Sequence, residues 1–159
     1  MADIVVDGMT RVAYVAAISN IALPTTTELN LGILLHSTMT PDGLVGYEAE
    51  TAPVDNSALD STFDTVTIGR DSFSNSSLML KRQSGTDTIY TTLVRGVTGF
   101  IVVRRNVAAA TAWTASQGVE VFPIICGQVK HMAPEKNAVT KYSVPTMITS
   151  SPNLRAVVA

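Results

Sequence analysis

The threonine content of the chain and the shortness of its apolar runs most constrain its fold. Twenty threonines are spread along 159 residues, and β-branched side chains fit a pleated, half-exposed strand better than a helix. Helical spacing of apolar residues never continues beyond about two turns. The sequence therefore predicts a mainly β protein, a β-sandwich or partly open barrel with one short flanking α-helix and a long extended loop.

Local signals predict where the chain turns and where helices begin. Asp7-Gly8 is a tight-turn pair. Thr25 and Glu28 have capping-box spacing for a helix of one or two turns, and Thr86-Asp87 caps the strongest helix of the chain. Strands are expected at residues 4–6, 11–18, 33–35, 44–47, 66–68, 78–82, 100–105, 119–130 and 139–149. Pro123 and Pro145 inside two of them predict edge positions or bulges.

Charge is distributed unevenly along the chain. Residues 42–71 hold seven acids and one base, whereas the remainder holds six acids and ten bases. The low net charge of −2 argues against bulk nucleic-acid binding. Acidic and basic segments on one molecule can attract each other between copies, and such head-to-tail contacts build rings or filaments.

Residues 41–77 are the least periodic part of the chain. They are rich in Ser, Thr, Asp and Gly and sparse in apolar residues. A stretch of this length without periodicity is unusual inside a compact domain. We therefore expect one domain over residues 1–159, with an extended arm at about 41–77 that is either disordered alone or ordered against a partner.

The sequence contains no recognisable constellation for catalysis or metal binding. His36 and His131 lie far apart without a partner motif. Cys126 lies in an apolar run, which favours a buried and inert thiol. The acids of residues 42–71 lack the alternating spacing of a calcium loop, so calcium binding is the weaker interpretation of that segment. We expect no enzyme activity, no cofactor and no metal.

Targeting and membrane signals are also missing from the sequence. No apolar run approaches the roughly 20 residues of a membrane span. The N-terminal Met1-Ala2-Asp3 lacks the basic region and apolar core of a secretory signal. We expect no membrane partner and folding in a cytoplasm.

A set of segments, taken in their order and spacing, carries a family resemblance across nearly the whole length. They are Asp7-Gly8-Met9-Thr10-Arg11-Val12, residues 24–30 with Gly32, Phe63-Asp64-Thr65 with Gly69-Arg70, Leu80-Lys81-Arg82 with Asp87-Thr88, residues 99–105, and Val119-Glu120-Val121-Phe122-Pro123. With these segments the chain resembles the major tail (tail tube) proteins of bacteriophages with long non-contractile tails, the siphophages, notably those of actinobacterial hosts.

The resemblance implies a structural virion protein that assembles with itself. Its subunits would form hexameric rings whose inner strands close into one β-barrel, and the rings would stack around a tape-measure protein. It also implies assembly in the host cytoplasm, a place in the virion tail, contact with tail terminator and distal tail proteins, and passage of double-stranded DNA during ejection. A long loop would reach the adjacent ring, here residues 41–77. A conduit should hold phosphates only weakly, which a modest negative charge fits.

Charged residues are the expected subunit contacts. The candidates are Asp55, Asp60, Asp64, Arg70, Lys81, Arg82, Arg104 and Arg105. Two other interpretations stay open. One is a related tail-completion or capsid-decoration protein, and the other is a monomeric β-barrel that binds a small ligand in a preformed apolar pocket.

Overall fold

A computed structural model describes residues 3–159, and it is built almost entirely of strands. The elements in chain order are β1 (Arg11–Val15), α1 (Thr26–Asn30), β2 (Ile33–Leu34), β3 (Met39–Val45), β4 (Glu50–Asp55), β5 (Val66–Ser72), β6 (Ser77–Lys81), α2 (Thr88–Thr92), β7 (Thr98–Arg104), β8 (Gly118–Cys126), β9 (Lys130–His131), β10 (Lys141–Ile148) and β11 (Asn153–Val157). The mainly β fold is thus confirmed.

Nine strands form one curled antiparallel sheet in the order β2-β1-β7-β8-β10-β6-β3. Strand β11 pairs with β8, and β9 pairs with β10. The remaining strands, β4 and β5, pair only with each other. The chain therefore consists of a half-barrel body and a separate two-stranded hairpin.

The two halves of the body are covered differently. We call β2, β1, β7, β8 and β11 the covered half, because alternate residues feed two core clusters on its opposite faces. Ile101 and Phe122 join one cluster, whereas Val102 and Val121 join the other. We call β3, β6, β9 and β10 the bare half, because its residues contribute to the first cluster alone. Burial on both faces explains why residues 100–104 form an almost continuous apolar run.

The prolines lie inside the sheet and not at its edges, which corrects the edge prediction. The carbonyl of Pro123 accepts a hydrogen bond from the amide of Thr149 at 3.0 Å. In a strand the nitrogen and the carbonyl of one residue point to the same neighbour, so the Pro123 nitrogen, which carries no hydrogen, also points towards Thr149. There the neighbour of β8 changes from β11 to β10. Pro145 likewise lies where the neighbour of β10 changes from β9 to β8. At both prolines, the missing N–H therefore lies at the gap in the hydrogen-bond ladder between one neighbouring strand and the next.

Local signals are confirmed more often than strand ends. Thr25 and Glu28 form the capping box, Asp87 caps α2, and Gly8 adopts a φ of 71° in the turn. Both predicted helix starts give a short helix, α1 and α2, although the fold-class prediction counted only one flanking helix. The strand at residues 4–6 is wrong, because this exposed segment has no neighbouring strand, and the last strand of the chain, β11, escaped prediction. The secretory-signal interpretation involves Met1 and Ala2, which lie outside the described residues.

The predicted arm is divided by the structure. Its first part belongs to the body, since β3 pairs with β6 and Tyr47 is buried in the core. The Tyr47 hydroxyl lies 2.6 Å from that of Thr146, and its ring meets Phe122 edge-on at 4.9 Å. The part that leaves the body is the hairpin at residues 50–72. Outside the hairpin, residues 41–77 are anchored to the body by Leu44 and Tyr47 on one side and by Phe73 on the other.

Candidate subunit interface

The hairpin of β4 and β5 is the most exposed ordered part of the molecule. Every residue of the two strands is exposed except Gly69, which is half-buried. Within the described residues, neither core cluster contains a side chain from positions 48–72. A two-stranded hairpin alone is only marginally stable in water. The hairpin is therefore a segment whose described side chains bond to one another but take no part in the core of the body.

One face of the hairpin carries three apolar side chains and one acid. Pro53 pairs with Ile68, and Asp55 pairs with Val66, so these four side chains lie on the same side. Val66 is 66% exposed and Ile68 81%. Sequence reasoning predicted a strand at residues 66–68 but treated the segment as polar, so it did not name Val66 and Ile68 among the subunit contacts.

The tip of the hairpin carries two more exposed apolar residues. Leu59 and Phe63 are 106% and 75% exposed. The tip is nevertheless held by its own hydrogen bonds, because the Thr65 amide donates to Ser57 Oγ at 2.9 Å and Ser61 Oγ donates to the Phe63 carbonyl at 2.6 Å. Local bonding therefore presents Leu59 and Phe63 to solvent on an ordered loop.

The acids predicted as subunit contacts lie on this hairpin. Asp55, Asp60 and Asp64 are all exposed. Hydrogen bonds from the hydroxyl and amide of Ser57 hold the pKa of Asp55 below its usual value. Arg70 is exposed on β5 of the same hairpin. The structure thus brings four of the eight candidates onto one protruding element.

The bases of the body are mostly occupied within the subunit. Arg82 pairs with Asp87 at 3.3 Å and lies over the Tyr90 ring at 3.6 Å. Arg105 pairs with Glu120 at 3.1 Å. Lys81 is half-buried at the end of β6. Among residues 3–159, Arg82 and Arg105 thus hold the two ion pairs, and Lys81 belongs to neither.

Arg104 is buried, which corrects its place among the surface candidates. Its guanidinium donates to the carbonyls of Ala108, Thr111 and Ala112 and to Gln117 Oε1, at 2.8–3.0 Å. Arg11, directly opposite on β1, donates to the carbonyls of Ala109 and Thr111. We call this pair the arginine clamp. It fixes the loop between β7 and β8 from inside the subunit.

Trp113 completes the clamp. Its ring lies 5.0 Å from the Arg11 guanidinium and 5.1 Å from that of Arg104. Cations at these distances from an aromatic face are attracted by its quadrupole. The sequence showed Trp113 only as a large residue in a small-residue loop, because its two arginine neighbours lie on distant strands.

The residues considered for catalysis stay apart in the structure. His131 Nε2 lies 3.2 Å from the Tyr90 hydroxyl at the surface, and half-buried His36 has its pKa lowered, chiefly by burial. Burial raises the pKa of the Cys126 thiol to about 11, which disfavours the reactive thiolate. Within residues 3–159, no three acidic, histidine or cysteine side chains cluster to hold a metal.

The space between the sheet halves is filled with side chains. Phe122, Tyr142, Leu78 and Leu80 pack there with almost no exposed surface. The clefts, of about 310 to 610 Å³, are bordered by exposed residues such as Glu135 and Lys130. A ligand inside the half-barrel would have to displace the core. Between residues 3 and 159, neither helix has the length and apolar character to cross a membrane.

Comparisons with known proteins show what this chain and its fold are similar to. A search of curated proteins gives no match. Among solved structures, a chain of the "Cryo-EM structure of the anti-feeding prophage (AFP) baseplate, 6-fold symmetrised" is similar at a TM-score of 0.61 and 7% identity, covering 96% of each chain. At that identity the likeness concerns the fold alone. The sequence profile described as "Phage tail tube protein" matches residues 1–159, so the chain belongs to the phage tail tube protein family and is a structural protein of the virion tail.

Proposed function

We propose that this protein self-assembles into stacked rings of six subunits that form the tail tube, a conduit for DNA during ejection, and that the hairpin at residues 50–72 joins neighbouring copies. The observation that carries the proposal is an ordered hairpin whose apolar side chains all face solvent. The similar baseplate assembly is 6-fold symmetrised, which supports the choice of six subunits. The tail would be long and non-contractile, assembled in the host cytoplasm with tape-measure, terminator and distal tail proteins.

Typical free energies of burial and of ion pairing indicate that apolar contacts contribute more to subunit association than charge pairs do. Burying a Leu, Ile, Val or Phe side chain is worth about 1.5–3 kcal/mol, and the hairpin exposes Leu59, Phe63, Val66 and Ile68. An exposed ion pair contributes about 0.2–1 kcal/mol. Pairing of Asp55, Asp60 and Asp64 with body bases such as Lys81 stays part of the proposal, as a smaller and salt-sensitive addition.

The test is a Leu59→Ser/Phe63→Ser variant of the full chain. Both side chains are exposed in the subunit, so the variant keeps the circular dichroism spectrum and melting profile of the parent. Tubes seen by negative-stain microscopy are lost, because the apolar tip no longer docks. Leu31→Ser/Val94→Ser, which also removes two exposed apolar side chains, is the matched control and keeps its tubes.

A second variant tests how much the charged residues contribute to assembly. Asp55→Lys/Asp60→Lys/Asp64→Lys slows assembly at low salt, and the difference from the parent shrinks above about 0.1 M salt, where the Debye length is about 10 Å. Normal tubes from the Leu59→Ser/Phe63→Ser variant would show that the hairpin tip does not join the copies. A parent that stays monomeric at every concentration would contradict the proposed assembly itself.

A further inference from the structure

Three lysines lie together on one face of the bare half. Lys81 on β6 is directly opposite Lys141 on β10, and Lys130 on β9 is directly opposite Ser143. Residues paired directly across antiparallel strands lie on the same side, and so do residues two apart along a strand. The three ammonium groups therefore project from one side of the sheet. We call Lys81, Lys130 and Lys141 the lysine face.

This side is the one turned away from the core. The alternate residues Leu80, Tyr142 and Val144 belong to the core cluster. On the same side, half-buried Met79 lies directly opposite Ser143, and Ser77 lies directly opposite Pro145. In the covered half the corresponding side carries a second core cluster, whereas that cluster includes no described residue of the bare half. The lysine face thus lacks a second core cluster, although Ser143 is buried in it, Lys81 and Lys141 are half-buried, and residues 132–140 border a groove beside Lys141.

Within residues 3–159, no lysine of the lysine face forms an ion pair. Among residues 3–159 the ion pairs are Arg82–Asp87 and Arg105–Glu120. Asp42 and Glu135 border the groove beside Lys141 but form no ion pair with it. Like charges directly opposite each other on a sheet are destabilising. Two like charges that lie opposite each other without compensation inside the subunit point to a function. Here that function is the binding of an external polyanion.

We propose that the lysine face contacts the phosphate backbone of double-stranded DNA. The inference rests on the proposed function, since it names the surface of the subunit that the passing DNA meets. Lysine ammonium groups bind phosphates as point charges and read no sequence. With three charges per subunit the contact is weak and strongly salt-dependent. Such a contact can guide DNA without stalling it, which agrees with the expectation that a conduit holds phosphates only weakly.

The acidic hairpin of another copy is the competing occupant. Its tip presents Leu59 and Phe63 together with Asp60 and Asp64, so it needs an apolar pocket as well as bases. Between its charges the lysine face offers Ser143 and only one apolar side chain, half-buried Met79. This chemistry suits a hydrated phosphate chain better than an apolar hairpin tip.

The test is the salt dependence of binding to a fluorescein-labelled 20-base-pair duplex, followed by anisotropy with the full-length chain. Three phosphate contacts predict an affinity that falls about 40-fold between 50 and 200 mM NaCl. In Lys81→Gln/Lys141→Gln one contact remains, and the fall shrinks to about 3-fold. Arg95→Gln/Arg155→Gln removes the same charge from exposed positions elsewhere and keeps the steep dependence of the parent.

Electron microscopy of the same samples separates the two proposals. Tubes from all variants, with the salt dependence flattened only in Lys81→Gln/Lys141→Gln, support the lysine face. Tubes without any DNA binding by the parent overturn it while the assembly function stands. Tubes lost in Lys81→Gln/Lys141→Gln, with unchanged salt dependence of DNA binding, overturn it in favour of the hairpin as occupant.

Discussion

The loop held by the arginine clamp and the hairpin at residues 50–72 both leave the sheet between paired strands. They differ in which side chains are buried and which are exposed. The clamp loop is fixed from inside by Arg11 and Arg104, which donate to its carbonyls. The hairpin exposes Leu59, Phe63 and Ile68. Charged groups thus lie inside and apolar groups outside, the reverse of the usual distribution. The buried arginines stabilise a loop of their own subunit, whereas the exposed apolar surface is the one that we propose to contact neighbouring copies.

Substituting one phenylalanine in the core and one on the hairpin tip gives the largest contrast in the free energy of unfolding. Phe122→Ala empties the centre of the core and lowers the free energy of unfolding by about 3–5 kcal/mol. Phe63→Ala, on the hairpin tip, changes it by less than about 0.5 kcal/mol. Urea titrations followed by circular dichroism, at concentrations below assembly, measure both. Equal losses would mean that the tip packs on its own subunit.

The arginine clamp predicts an intermediate effect. Arg104→Lys cannot reach the four acceptors that the planar guanidinium spans. Buried carbonyls left without donors cost about 1–3 kcal/mol of unfolding free energy. Arg105→Lys, its exposed neighbour, serves as the control and costs less than about 0.5 kcal/mol. Similar values for the two variants would remove the clamp as a stabilising device.

The capping box predicts the smallest effect, visible in its pH dependence. Hydrogen bonds from the amides of Thr25 and Ser19 lower the pKa of Glu28 to about 2. Because the folded pKa lies below the ordinary value, the stabilisation is complete above about pH 4.5 and is lost as the pH falls towards 2. The carboxylate lies at the surface, so the contribution is below about 1 kcal/mol.

Thermal melts between pH 6 and pH 2 measure this contribution. Glu28→Gln lacks the titratable group, so its stability falls less steeply with acid than that of the parent. Asp60→Asn, which removes an exposed acid from the hairpin tip, keeps the parent's profile. A parent-like slope in Glu28→Gln would show that the capping carboxylate is not the group that titrates.

The sequence predicted the mainly β class, the family and most local signals. The Thr25–Glu28 box, the Asp87 cap and the Asp7-Gly8 turn each depend on residues at most a few positions apart. The arm predicted at about 41–77 contains the hairpin at residues 50–72, and β3 and β6 at its two ends pair with each other in the body. The choice of charged contacts from the sequence failed for Arg104, because a pair of arginines after an apolar run gives no sign of which one the sheet will bury.

What the sequence determined by itself is therefore local: caps, turns, and the alternation that makes strands, since their hydrogen bonds close within a few residues. The tertiary structure decided which faces are covered. Arg11 meets Arg104 and Lys81 meets Lys141 only through strand pairings across more than fifty residues. The same pairings place Pro123 at a change of neighbour and leave the hairpin outside both cores. Burial depends on such non-local register, which no local pattern encodes.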